Sequence, residues 1–220
     1  IPAAVDGAVH AKMRNGGEAC VAANRFLVQE DVAAEFAAAF AARIAAFEVG
    51  RGTEPGVTMG PLVDAATRDK VEALVAGAVA DRARIAVGGS RVDGPGYFYQ
   101  PTVLTDVPSD ARILAEEIFG PVAPLTTFRT EEEAIRLANA SEFGLVSFAF
   151  TRDLARGLRL AERLDTGMLG LNAGVVSNPA APFGGVKQSG IGREGGFEGI
   201  EEYLETRYVG IADPFAAKGA

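Results

Sequence analysis

Cys20 is the only cysteine in this chain of 220 residues, and its surroundings are the first place to look for covalent chemistry. A lone cysteine cannot close an internal disulfide or build a cysteine-based metal cluster. It is either an inert buried thiol, behaving as a small hydrophobe, or a nucleophile. Its context favours the nucleophile. Gly16-Gly17 stand before it, and an apolar run, Phe26-Leu27-Val28, follows. Two glycines stop a preceding helix and let the backbone turn tightly. The thiol is then expected on a turn between helix and strand, exposed, with its own N–H free to point at a substrate oxygen. Lys12 and Arg14 lie near enough in sequence to favour a thiolate. His10, the only histidine, invites a Cys–His pair. On a helix face it reads instead as a surface or packing residue, and no catalytic role is assigned to it.

The elements that must position Cys20 follow from periodicity. Pro2 to Asn15 reads as a helix, with Val5, Val9 and Met13 at spacing four. Arg25 to Val28 reads as a strand. Asp31 is expected to cap a helix with the face Val32, Phe36, Phe40, Ile44 and Phe47. Asp64 starts another, with Val71, Leu74, Val75, Ala78 and Val79 on one side. Arg84–Val87 and Val122–Phe128 read as strands, and Tyr97–Val103 as an extended stretch held to an edge or end by Pro101. Thr130 and Glu133 form a capping box for Glu131–Ala140. Val146–Phe150 is a strand, Asp153 caps a helix through Leu154, Leu158 and Ala161, and Leu169–Asn172 is a strand. Strands alternating with helices imply an α/β fold with a mostly parallel twisted sheet flanked by helices. The stretch 204–211 reads as one more strand outside the alternation, an arm suited to oligomerisation.

An apolar fraction of 48% is ample for a core, and a formal charge of −8 argues against nucleic acid or an anionic membrane as partner. No apolar run is long enough to cross a bilayer, and the N-terminus lacks the basic-then-apolar pattern of a secretory signal. With a single cysteine these features point to a cytoplasmic location. The chain begins at Ile1-Pro2, as though cut at the start of a helix, so a fragment or trimmed chain is expected.

Three stretches together carry a resemblance. Arg14-Asn15-Gly16-Gly17-Glu18-Ala19-Cys20 resembles the catalytic cysteine segment of aldehyde dehydrogenases. Glu116-Glu117-Ile118-Phe119-Gly120-Pro121-Val122 resembles that family's acidic-Phe-Gly-Pro motif. Pro182-Phe183-Gly184-Gly185-Val186-Lys187-Gln188-Ser189-Gly190 is similar to its late glycine-rich motif, continued by Gly192-Arg193-Glu194-Gly195. The order matches from Ile1 to about Ile211. Ser177-Asn178 and Gly199-Ile200-Glu201-Glu202-Tyr203-Leu204 most resemble the succinate-semialdehyde branch.

The resemblance implies a catalytic domain at 1–203, an oligomerisation strand at 204–211, a tail at 212–220, and a cofactor domain that this chain lacks. It implies Cys20 as the nucleophile, Glu117 on the nicotinamide ribose of NAD or NADP, Phe119 beside the nicotinamide, and Phe183 as a wall of the substrate tunnel. It also implies a homo-oligomer and a small aldehyde substrate. Arg14, six residues before Cys20, offers a planar fork suited to a carboxylate. With Ser177 it would bind the far end of a carboxylated aldehyde; the alternative is that it pairs with an acid such as Glu18. Glu117 could equally be a solvated acid beside Glu116, and Phe119 and Phe183 ordinary core aromatics. The family usually has glutamine where Glu18 stands, and an acid there could raise the thiol pKa if the two side chains face each other. The position two after the nucleophile is Ala22, which rules out an internal disulfide switch. Gly190-Ile191-Gly192-Arg193-Glu194-Gly195 fits a phosphate-loop pattern by letter but follows no expected strand. The family's general base and one oxyanion donor are expected upstream of Ile1, so little turnover is expected of this chain alone. Competing readings are an aldehyde dehydrogenase for uncharged substrates, a Cys20/His10 acyltransferase or hydrolase, and a non-enzymatic assembly domain.

Overall fold

The computed structural model describes residues 1–212. Helix α1 (Pro2–Met13) starts with proline at its first turn and ends where Arg14 turns to ψ 126°. That is two residues earlier than the periodicity suggests, because Asn15 (φ 52°) and Gly16 (φ 62°) adopt the left-handed region inside a 3₁₀ turn, Arg14–Gly17. Asparagine and glycine tolerate that conformation best. Strand β1 (Phe26–Gln29) follows. Helix α2 (Glu30–Ala45) begins one residue before Asp31, with Gln29 at the cap position and no side-chain cap. Asp31 is therefore not the cap; it joins Glu30 in the first turn, where carboxylates favour the helix dipole. The face Phe36, Phe40 and Ile44 is buried as expected.

Helix α3 (Ala65–Ala80) is capped by Asp64, whose carboxylate accepts from Thr67 N. It buries Val71, Leu74, Val75 and Ala78, while Val79 stays exposed. Then come β2 (Arg84–Val87), β3 (Thr102–Thr105), the short α4 (Arg112–Ala115) and β4 (Val122–Phe128). Helix α5 (Glu131–Asn139) is capped as the sequence suggests: Thr130 Oγ1 accepts from Glu133 N at 3.1 Å, and the Glu133 carboxylate reaches back to Arg129 N at 2.9 Å. Then follow β5 (Phe143–Gly144), β6 (Val146–Ala149), α6 (Leu154–Arg163), β7 (Met168–Leu171), β8 (Val186–Lys187) and a 3₁₀ stretch, Glu198–Tyr203.

The main sheet runs β1-β4-β3-β2, with β1, β4 and β3 parallel and β2 antiparallel at the edge. A second parallel pair joins β6 to β7, and β5 pairs antiparallel with β8. Period-two alternation places a core on each face of the main sheet. Leu104 and Val122 face α3 and α4, with Val71, Leu74 and Ile118. Val103, Ala123 and Leu125 face α1 and α2, with Val9, Met13, Phe36 and Phe40.

Two further expectations change. Leu154 and Leu158 do not form the buried face of α6; they are 70% and 58% exposed. The helix instead turns Gly157 inward, where an added Cβ would lie 2.9 Å from the Leu171 side chain. Its arginines tie it to α5, with Arg159 Nη2 on Glu131 at 2.7 Å and Arg163 Nη1 on Glu132 at 2.6 Å. The 204–211 stretch pairs with no strand among the described residues, and its Tyr208 is 91% exposed. Of the 212–220 tail, residues from 213 onward lie outside the described residues. No helix among the described residues is long and apolar enough to cross a membrane.

Candidate active site

The cysteine segment hangs between the end of α1 and the start of β1. Ala23 N donates to Ala11 O at 2.9 Å, which folds the loop back onto α1, and Ala22 N donates to Ala19 O at 2.9 Å, which closes a turn around Cys20 and Val21. Asn15 Nδ2 donates to Glu18 O at 2.9 Å and steadies the approach. Cys20 is free and exposed at the top of this turn.

Glu18 is directed elsewhere. Its carboxylate accepts from Val63 N at 3.0 Å. Burial raises its pKa and nearby Asp64 adds to the rise, while the Val63 N–H and Lys70 oppose it. Arg14 does not pair with it. Arg14 Nη1 reaches Ser177 Oγ at 3.5 Å across the molecule. The two line one narrow recess of about 10 Å³ with His10, Ala19, Val21 and Phe148. Among the described residues Arg14 is the only formally charged side chain lining it, and the walls are otherwise mostly apolar. As it stands the recess has room for about one water molecule, so what it offers an anion is the Arg14–Ser177 pair at its wall rather than a chain-sized cavity.

The acidic motif comes against the same loop. Gly17, at φ 81°, leaves no room for a side chain: a Cβ there would collide with the Gly120 carbonyl oxygen. Glu117 is exposed, and its backbone oxygen accepts from Lys70 Nζ at 3.2 Å. Phe119 is half-buried and sits at φ 49°, a left-handed conformation unusual for a bulky residue. Phe183 is half-buried and does not line the Arg14–Ser177 recess; its backbone exchanges two hydrogen bonds with Glu194, at 2.7 and 2.9 Å.

One contributor, Asn24, was not foreseen from the sequence, and two, His10 and Lys12, stand in other places than the sequence suggests. His10 lines the recess one turn before Arg14 on α1. Asn24 bridges the loop to the acidic motif, with Nδ2 donating to Glu116 O at 2.8 Å and Oδ1 accepting from Ile118 N at 2.9 Å. Lys12, expected to act on the thiol, is 1% exposed in α1. Burial pulls its ammonium down to about 7, and the charge opposing that pull is Glu117. Its signal was available: a lysine within an otherwise Ala-, Val- and Gly-rich helix is rarely buried without a reason.

The family model for the aldehyde dehydrogenase family matches residues 1–209. The chain belongs to the aldehyde dehydrogenase family. It is 63% identical to a succinate-semialdehyde dehydrogenase of Paenarthrobacter nicotinovorans, over 96% of this chain and 47% of that protein. It is 46% identical to the NADP-dependent succinate-semialdehyde dehydrogenase of Escherichia coli, over 94% of this chain and 43% of that protein. The crystal structure of succinate-semialdehyde dehydrogenase from Burkholderia pseudomallei superimposes with a TM-score of 0.90 at 50% identity, covering 92% of this chain and 42% of that one. The chain thus spans about half the length of the curated relatives it matches. Within an aldehyde dehydrogenase, the Glu117–Phe119 stretch suits the sugar end of a dinucleotide. The exposed carboxylate makes no ion pair among the described residues, so it is available to a ribose diol.

Proposed function

We propose that this chain is the catalytic domain of an NAD(P)-dependent aldehyde dehydrogenase that oxidises a carboxylated semialdehyde, succinate semialdehyde to succinate. The observation that carries the reading is the recess beside Cys20, whose single charge, Arg14, is joined by Ser177. In this reading Arg14 and Ser177 hold the distal carboxylate through charge-assisted hydrogen bonds. The aldehyde end then reaches Cys20.

The thiolate of Cys20 adds to the carbonyl carbon, and the π electron pair moves to oxygen. The resulting oxyanion is met by the Cys20 N–H, a donor whose kind is worth ~3–4 kcal/mol in other oxyanion holes. The nicotinamide cofactor, when bound, supplies the hydride acceptor. Loss of hydride from the thiohemiacetal carbon leaves a thioester on Cys20. Water adds to it, the thiolate is expelled, and the acid ionises to the carboxylate, so that the two protons of the water are released. Glu117 would accept from the ribose hydroxyls and Phe119 would pack beside the ring. Phe183 would wall the tunnel outside the recess. The exposed 204–211 stretch, with Tyr208 and Ile211 bare, supports its use as an arm between subunits of a homo-oligomer.

The test uses the full-length protein that carries this chain. Nicotinamide reduction is followed with succinate semialdehyde and with butanal, in native and Arg14→Ala proteins. A charge-assisted hydrogen bond contributes ~1.5–3 kcal/mol, so Arg14→Ala is expected to lower kcat/KM for the semialdehyde about 10- to 100-fold. Butanal turnover should change little. Equal use of both aldehydes by the native protein would remove the carboxylate from the proposal. Robust aldehyde oxidation by the 220-residue chain alone would overturn its reading as one part of a longer enzyme.

A further inference from the structure

Asn24 is the side chain that joins the nucleophile's loop to the cofactor motif. It lies four residues after Cys20 and is half-buried. Both ends of its amide go to one stretch: Nδ2 to Glu116 O at 2.8 Å, Oδ1 from Ile118 N at 2.9 Å. These two backbone groups flank Glu117. The stretch 116–121 lies between α4 and β4, outside any helix or strand. Its buried backbone groups must therefore find partners elsewhere. Asn24 supplies two, and Lys70 supplies a third at Glu117 O. Phe119 holds its left-handed φ of 49° next to this clamp, a conformation that costs ~1–3 kcal/mol and persists only where the surroundings over-determine it.

Only a short primary amide does this job. It offers one acceptor and one donor at fixed spacing. Aspartate keeps the acceptor but sets a negative charge against the Glu116 carbonyl. Alanine leaves both backbone groups unpaired.

We propose that Asn24 is a positioning residue that fixes Glu117, and through it the nicotinamide ribose, relative to Cys20. This rests on the reading of Glu117 as a ribose ligand given above. Hydride transfer demands a near-attack geometry, and a displacement of about 1 Å can lower the rate ~100-fold. An amide spanning the two loops is the direct means of holding that spacing.

The experiment uses the full-length protein with Asn24→Ala, Glu117→Ala and both together. The readouts are the Kd for NAD and NADP by calorimetry, the cofactor KM and kcat, and the rate of Cys20 alkylation by iodoacetamide without cofactor. Asn24→Ala is expected to raise cofactor Kd and KM about tenfold, which corresponds to about 1.4 kcal/mol of lost positioning. Alkylation without cofactor should stay within about twofold of native, because the turn around Cys20 keeps its own hydrogen bonds. In the Glu117→Ala background the same substitution should add little, since its effect runs through Glu117. Asn24→Asp, which keeps the size and the acceptor, gives the same reading where the alanine variant folds poorly. An equal penalty with and without Glu117, or an unchanged cofactor Kd, overturns the inference alone. A native protein that reduces no nicotinamide cofactor with any aldehyde overturns the functional reading and this inference with it.

Discussion

Replacing Lys12 by methionine should stabilise the protein, and the gain should depend on pH in a defined direction. Methionine keeps an unbranched chain of similar length and removes the charge. Lys12 is 1% exposed, and burial lowers its pKa from 10.5 to about 7 despite the attraction of Glu117. Below about pH 7 the lysine is charged in both folded and unfolded chains, and the folded state bears the full penalty. Above pH 7 the folded protein sheds the proton while the unfolded chain keeps it until about 10.5, so the penalty shrinks as pH rises. At about 1.4 kcal/mol per pH unit between those values, the penalty is about 5 kcal/mol at pH 6. By linkage it falls to about 2 kcal/mol at pH 9. The variant's advantage over the native protein should follow the same course. The assay is denaturant or thermal unfolding of the two full-length proteins at pH 6 and pH 9. At ~2–4 °C per kcal/mol, the variant should melt about ten degrees or more above native at pH 6, and roughly half that at pH 9. Comparing variant with native cancels the titrating groups that do not interact with Lys12, leaving Glu117 as the one named partner. A variant less stable than native at pH 6, or an advantage equal at the two pH values, refutes the reasoning.

Three further outcomes follow from particular contacts. Gly17→Ala places a Cβ against the Gly120 carbonyl oxygen at φ 81°; aldehyde oxidation should fall ~100-fold or more, measured as kcat/KM. Arg25 donates to Leu137 O at 2.9 Å and Ala138 O at 2.8 Å at the end of α5, so Arg25→Ala should cost ~2–3 kcal/mol of stability in a denaturant titration. The Tyr99 hydroxyl is buried without a hydrogen-bond partner among the described residues, and burial pushes its pKa up to about 12. Tyr99→Phe should therefore be neutral or stabilising by ~1 kcal/mol, and a loss of melting temperature would show that the hydroxyl has a partner in the assembled protein.

Local chemistry was legible in the sequence wherever the partner lay nearby. Asp64, Thr130 and Asp153 cap helices because each accepts from an N–H three residues on, a spacing visible in the chain itself. The stripe Phe36, Phe40 and Ile44 reads directly as a buried face. Asp31 misled because Glu30 before it could already enter the helix, and a cap is decided by backbone conformation, which letters do not carry. Leu154 and Leu158 misled for another reason: amphipathicity shows that a face is apolar, not that this part of the chain covers it. The motifs located Cys20, Arg14, Glu117 and Ser177, and the fold brings Arg14 to Ser177. Asn24 went unread, and Lys12 was read as acting on the thiol, because their partners, Glu116–Ile118 and Glu117, lie far along the chain. Such pairings are set by tertiary contact rather than by spacing.

Those distant pairings follow from one feature of the topology. Strands β1 and β4 are parallel neighbours, with Phe26 opposite Leu125. Parallel neighbours must begin at the same end of the sheet. The cysteine loop runs directly into β1 and the acidic motif directly into β4, so the two loops meet at the entry end of the pair. Open α/β sheets more commonly place ligands at the exit ends of their strands. Here the two loops meet at the entry end, while α1 packs on α2 on one face of the sheet, with Met13, Val28 and Ala123 in the same buried cluster. The nucleophile and the acidic motif are thus fixed by one rigid pair of strands. Ser177, by contrast, arrives after β7, from the separate β6–β7 pair. Its reach to Arg14, at 3.5 Å, spans two sheets. On the proposed reading, the Cys20 side of the site is held by one strand pair, whereas the Arg14–Ser177 side joins two sheets.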